Sequence, residues 1–204
     1  MNHGEEMSLE AFNLNLFEHL NAPIGANIYM VDFAIFIAND TLYLLIIFLL
    51  LSWFLGSRQS KELAFKAVLT TVIALTIGFM ISSIFPHPRP FMIDAGRTLI
   101  YHAPNASFPS DHMLIFSSIA LSYLFAKEKN IGIFLLLLAI EVAWSRVYLG
   151  VHFPLDMVGA FFVALFTNII MQQIWIKHGA NLIDLALKIY RFIFSKPLQK
   201  GWVK

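Results

Sequence analysis

Apolar and polar positions alternate along the chain in long blocks, and five of the apolar blocks are long enough to matter. The first lies within Ile28–Gly56 and is most apolar from Thr41 onward. The second covers about Ala64–Phe85, the third Ser110–Ala126, the fourth Ile131–Leu149 and the fifth Asp156–Ile176. A helix crosses a hydrocarbon core of about 30 Å with about 20 predominantly apolar residues, and the third block is short by that measure. These blocks predict an all-α, polytopic membrane helix bundle of about five transmembrane helices. Two flanking stretches have helical periodicity instead. In the first, Leu9, Phe12, Leu16 and Leu20 make an apolar stripe behind Ser8, a residue suited to the N-cap. In the second, about 179–195, Asp184, Lys188 and Arg191 share a polar face at i, i+4 and i+7. Both read as amphipathic interfacial helices that anchor the ends of the chain, the second against anionic lipid. The chain is expected to be one domain over residues 1–204 with a core of about 28–177, since no internal repeat or low-complexity linker divides it.

Composition agrees with a bilayer. Of the 204 residues 58% are hydrophobic and 13% charged, and the mean hydropathy is +0.71. Soluble domains of this size rarely run so apolar. A net charge of +1 offers nothing for nucleic acid. Cysteine is absent, which excludes disulfides, thiol nucleophiles and thiolate metal sites. The first ten residues are acidic and lack the basic start of a signal peptide.

The placement of the charges gives a direction. Arg58, Lys61 and Lys66 follow the first block, Lys127 and Lys129 the third, and Lys177, Lys188, Arg191, Lys196, Lys200 and Lys204 the fifth. Eleven of the fourteen Lys and Arg therefore fall on one side, which the positive-inside rule makes cytoplasmic. No Lys or Arg precedes Arg58, so the N-terminus is expected outside and the C-terminus inside. The exceptions, Arg89, Arg97 and Arg146, all lie at or near the outer face.

That face gathers three polar patches. The second block ends in "FPHPRPF" with His87 and Arg89, the third starts in "PSDH", and the fourth ends in "SRVYLGVHFPLD" with Ser145, Arg146, His152 and Asp156. Any one of them is explained as the end of a helix. Three at one depth are not, because ionisable groups at membrane depth are costly and tend to be functional. The residue types suit phosphoryl chemistry. Arginine forks match phosphate oxygens. Ser110 stands where a helix starts, so the amides of Asp111, His112 and Met113 face an anion in front of them. His152 and Asp156 are four apart, on one face if helical, and a carboxylate on one ring nitrogen leaves the other free to attack. His112 has no such partner and is suited to general acid and base work. Glu141 is expected to have a structural role, either neutral or helping to hold Arg146, and Asp40 to mark a helix boundary or kink in the first span.

These patches resemble the signature of the type 2 phosphatidic acid phosphatase superfamily. Ser145, Arg146, His152 and Asp156 match every fixed position of its SRxxxxxHxxxD motif, and Pro109, Ser110, Asp111 and His112 stand at its PSGH motif. Its KxxxxxxRP motif is matched only in Arg89 and Pro90, with Ser82 at the lysine position. The wording "HPRPF" and "ASFPSDH" is most similar to the bacitracin-resistance type of undecaprenyl-diphosphatase. The resemblance implies His152 as nucleophile through a phosphohistidine, Asp156 orienting it and His112 as acid then base. It implies Arg89, Ser110 and Arg146 as phosphate ligands, with no metal and no cofactor. His87, Arg97, His102, Asp111 and Ser145 are accessory candidates, His87 or Arg97 as a stand-in for the lysine. The implied substrate is a polyprenyl diphosphate lipid, undecaprenyl diphosphate, whose hydrolysis recycles the carrier for cell-wall synthesis. The same chemistry on phosphatidylglycerol phosphate or phosphatidic acid is the nearest alternative. A transporter or a non-catalytic membrane scaffold is a second, opposed by the gathering of charge at one face instead of along a midplane relay.

Overall fold

The computed structural model describes residues 8–204, so the acidic stretch before Ser8 lies outside the described residues. The elements are α1 (Leu9–Leu20), α2 (Ile28–Ile35), α3 (Thr41–Phe54), α4 (Arg58–Ile84), α5 (Asp111–Phe125), α6 (Lys129–Tyr148), α7 (Pro154–Ile193) and α8 (Ser195–Gln199). A π-helical turn, Phe36–Asp40, joins α2 to α3, and a 3-10 turn, Pro90–Met92, follows α4. No strand occurs among the described residues. The protein is an all-α membrane bundle.

Four helical stretches are long and apolar enough to span a membrane: Ile28–Phe54, Arg58–Ile84, Lys129–Tyr148 and Pro154–Ile193. The break expected at Asp40 is a change of register inside the first of them, because the π turn ends on Asp40 and the helix runs on. Helix α5 is the exception. Its 15 residues rise about 22 Å, less than a hydrocarbon core. It is also the centre of the bundle, packed on α4, α6 and α7. Short length is tolerable there, since non-helical backbone at membrane depth survives where protein surrounds it. Small buried residues let the helices close on it: Ala67, Ala74 and Gly78 from α4, Ala160 and Ala164 from α7. Asn168 of α7 adds polar contacts, donating from Nδ2 to the Ser118 carbonyl at 3.2 Å and accepting from Ser122 Oγ at 2.8 Å.

Three expectations change. The fifth span and the C-terminal amphipathic helix are one helix of 40 residues, about 60 Å long. Its second half is no loose surface anchor. Gly179, Ile183, Leu187 and Tyr190 are buried, and the Tyr190 ring packs 5.6 Å from Trp53 and 5.9 Å from Phe54. Helix α1 likewise has a docked face. Its stripe of Leu9, Phe12 and Leu20 stays exposed, but Asn13 and Phe17 are buried on the other side, with Phe17 edge-on to Phe153 at 5.2 Å. Lys61 and Lys66 do not sit in a link. Ser57 caps α4 by accepting from Ser60 N–H at 3.2 Å, so both lysines lie inside the helix, where both are buried.

Candidate active site

Four helix ends meet at one end of the bundle: the C-termini of α4 and α6 and the N-termini of α5 and α7. The turn from α6 into α7 is built by residue types that have little choice. Gly150 has φ +79°, and an added Cβ would collide with the Arg97 carbonyl. Pro154 opens α7 at a position where its missing N–H is harmless. Phe153, at the N-cap, has no side-chain acceptor to offer, and Asp156 serves instead by accepting from the Phe153 N–H at 2.8 Å. His152 therefore precedes the helix instead of lying on its face. The four-residue spacing still pairs it with Asp156, Nδ1 to Oδ2 at 3.2 Å.

This pairing fixes the tautomer: Nδ1 carries the proton and Nε2 the lone pair. Nε2 faces Arg89 Nη1 at 3.0 Å. Arg89 is itself held on three further sides, donating to the Val151 carbonyl at 2.8 Å, Asn105 Oδ1 at 2.9 Å and the Ala106 carbonyl at 3.1 Å. His152, Asp156 and Arg89 are all buried. Burial pushes the His152 imidazole down to about 4, against the opposing pull of Asp156. The ring is thus neutral at physiological pH.

The second histidine arrives on α5. Ser110 caps that helix, its Oγ accepting from Met113 N–H at 3.5 Å, and its own N–H donates to the Asp156 carbonyl at 3.4 Å. The start of α5 is thereby tied to the start of α7. His112, in the first turn, is within electrostatic range of Arg146, His152, His102 and Arg89. Asp111 lies near both arginines. Arg146 is 2% exposed, and its Nε finds no acceptor among the described residues. A buried guanidinium left so incompletely bonded, with a second guanidinium nearby, makes a strong receptor for an anion. His102, from the loop between α4 and α5, stands edge-on to His152 at 6.0 Å. Burial lowers its affinity for a proton, a tendency its contact with the Ala103 carbonyl opposes and Arg89 and Arg146 reinforce.

Other accessory candidates are occupied elsewhere. Arg97 donates to the Pro23 carbonyl, and its backbone exchanges two hydrogen bonds with the Asn21 side chain. His87 stands 3.4 Å from Glu10 and edge-on to Phe153. Ser145 Oγ donates to the Val142 carbonyl of its own helix. Ser82, at the lysine position, is bonded to the Phe79 carbonyl. Glu141 is exposed on α6 while Arg146 is buried, so it does not hold that arginine.

One participant carries no sequence signal beyond its place ahead of "PSDH". Ser107 is fully buried, donates to Asp156 Oδ2 and lies 3.3 Å from His152 Nδ1. It is a positioning residue, acting through the His152–Asp156 pair. Ser107→Ala is expected to lower kcat about tenfold with little change in KM, and Ser107→Thr to recover most of it. A KM effect alone, or no recovery with threonine, would point to packing instead.

The arrangement can receive a phosphate between two guanidiniums and present it to a neutral imidazole, with a second imidazole for proton transfer. Comparison with known proteins points the same way. The chain is 36% identical over 196 residues to YbjG of Escherichia coli (strain K12), covering 96% of this chain and 99% of that one. It is 30% identical over 191 residues to the undecaprenyl-diphosphatase BcrC of Bacillus subtilis (strain 168), covering 92% and 96%. Among solved structures, Aquifex aeolicus LpxE superposes with a TM-score of 0.63 at 25% identity, over 80% of this chain and 96% of that one. The PAP2 superfamily profile matches residues 63–179, a span that contains Arg89, Ser110, His112, Arg146, His152 and Asp156. The chain belongs to the PAP2 superfamily.

Proposed function

We propose that the protein is an undecaprenyl-diphosphate phosphatase that acts through a phosphohistidine at the outer face of the bacterial cytoplasmic membrane. The observation that carries the reading is the convergence of a carboxylate-oriented His152 with His112 beneath two buried arginines. The similarity to an undecaprenyl-diphosphatase over most of both chains supports the substrate. Arg89 and Arg146, with the amides opening α5, hold the terminal phosphate. Nε2 of His152 attacks its phosphorus, and the bond to the bridging oxygen breaks. His112 gives that oxygen a proton, releasing undecaprenyl phosphate. Water, deprotonated by His112, then attacks the phosphohistidine, and inorganic phosphate leaves. Two guanidiniums supply the charge stabilisation that a metal supplies in many phosphoryl transfers. The eleven basic residues gathered toward the other end of the bundle support a cytoplasmic position for that end and an outer one for the site.

The test is phosphate release by the purified protein from undecaprenyl diphosphate, phosphatidylglycerol phosphate and phosphatidic acid, with and without a chelator. The expected result is a preference for undecaprenyl diphosphate and full activity in the chelator. Preference for either glycerophospholipid overturns the substrate. Loss of activity that Mg²⁺ restores overturns the metal-independent mechanism.

A further inference from the structure

The end of the bundle away from the catalytic cluster holds a second concentration of positive charge. Lys61 is 5% exposed. Its ammonium donates to the Trp53 carbonyl and stands 4.6 Å from the Tyr190 ring centroid and 5.6 Å from that of Trp53. Among the described residues it bonds no carboxylate. A carbonyl and two aromatic faces offset only part of the cost of burying a cation.

Lys61 lines a cavity of about 290 Å³ with Arg58, Arg191 and Lys204, while Leu187 and Tyr190 form its apolar wall. These cations come from three separate parts of the chain: the start of α4, the end of α7, and the tail. The tail is drawn back to the site, with the Lys204 N–H donating to the Phe54 carbonyl at 2.9 Å and the Tyr190 hydroxyl donating to the Lys204 carbonyl at 2.9 Å. No acidic side chain lines the cavity. Asp184, outside it, pairs with Arg58, so four cations face one carboxylate. The first-turn amides of α4 add the positive end of a helix dipole.

Around this cavity the surface turns apolar. Leu55, Phe192, Ile193 and Trp202 are all exposed. A free ion has no use for such a surroundings, whereas acyl chains do.

We infer that this cavity binds the phosphate of an anionic membrane lipid, a phosphodiester headgroup in the leaflet opposite the catalytic site. Arg191 and Lys204 reach the phosphate oxygens from the open side and Lys61 from beneath. The inference is independent of the catalytic assignment, because none of these residues belongs to the catalytic cluster.

The experiment is native mass spectrometry of the delipidated full chain titrated with dioleoyl-phosphatidylglycerol, dioleoyl-phosphatidylcholine or inorganic phosphate. One phosphatidylglycerol is expected to bind well ahead of phosphatidylcholine. Removing a basic group near the headgroup weakens binding about fivefold, so the Arg191→Gln, Lys204→Gln pair is expected to weaken it about 25-fold. The Lys177→Gln, Lys188→Gln pair, equal in charge and outside the cavity, is expected to leave it unchanged. Lys61→Met, which keeps the buried stem, is expected to weaken it about fivefold. Phosphatase activity of the exposed pairs reports that they are folded. Equal binding of the two lipids, or equal weakening by the two pairs, overturns the site. Displacement of the lipid by millimolar inorganic phosphate overturns the lipid as its ligand.

Discussion

His152→Ala is expected to lower phosphate release by about 10⁴-fold or more, the loss seen when a nucleophile is removed and only binding and charge stabilisation remain. That corresponds to about 5.5 kcal/mol of transition-state stabilisation. The size follows from the site. Asp156 holds Nδ1 and leaves Nε2 with a lone pair, and no cysteine in the chain offers another nucleophile. His152→Gln separates chemistry from packing, because glutamine keeps much of the volume and an acceptor for Arg89. It should be as inactive as alanine while its melting temperature stays closer to the parent. The pH dependence adds a sign. Burial lowers the imidazole to about 4, so it stays unprotonated as the pH falls past the ordinary histidine range. The acid limb of kcat/KM owed to this nucleophile is expected near pH 4, well below 6.5. Turnover retained in His152→Ala would falsify the assignment.

The pairing at the heart of the candidate site was legible in the sequence because its spacing survives folding. The capping geometry at Phe153 pairs His152 with Asp156 over four residues even though the helix begins between them. Ser107 was not legible. It lies 45 positions from His152 and 49 from Asp156, in a loop with no periodicity to read. The five apolar blocks were found, but their ends were judged by polarity, to which helix geometry is indifferent. Lys177 ends the hydrophobic run, yet no proline follows until Pro197, so α7 continues and finds new partners in Trp53 and Phe54. Helix α1 misled for a related reason. Leu9, Phe12, Leu16 and Leu20 form the better stripe, while the docked face relies on Phe17 and the amide of Asn13, which accepts from the Leu155 N–H at 3.1 Å. A helix apolar on two sides does not say in its sequence which side faces protein. Arg97 shows the converse: a charge at the right depth, used as a strut.

His112→Ala is expected to slow steady-state turnover of undecaprenyl diphosphate by about 10²- to 10⁴-fold, the range for a lost general acid or base. The effect should depend on the leaving group. The oxygen released from undecaprenyl diphosphate gains from a proton as the bond breaks. The phenolate of p-nitrophenyl phosphate leaves readily without one. With that substrate the variant should keep the first step and fail at the second, where water still needs a base. The signature is a burst of nitrophenolate equal to the enzyme present, followed by a slow phase, with an acid-labile, base-stable phosphate on the protein. His112 is half-buried in the first turn of α5, and the hydrogen bonds that join α5 to α7 come from Ser110, Ser118, Ser122 and Asn168, which its replacement leaves in place. A uniform loss on both substrates with no burst would mean that His112 acts by holding the phosphate, and the proton would have to come from another group. The remaining imidazole within range is His102, edge-on to His152 at 6.0 Å.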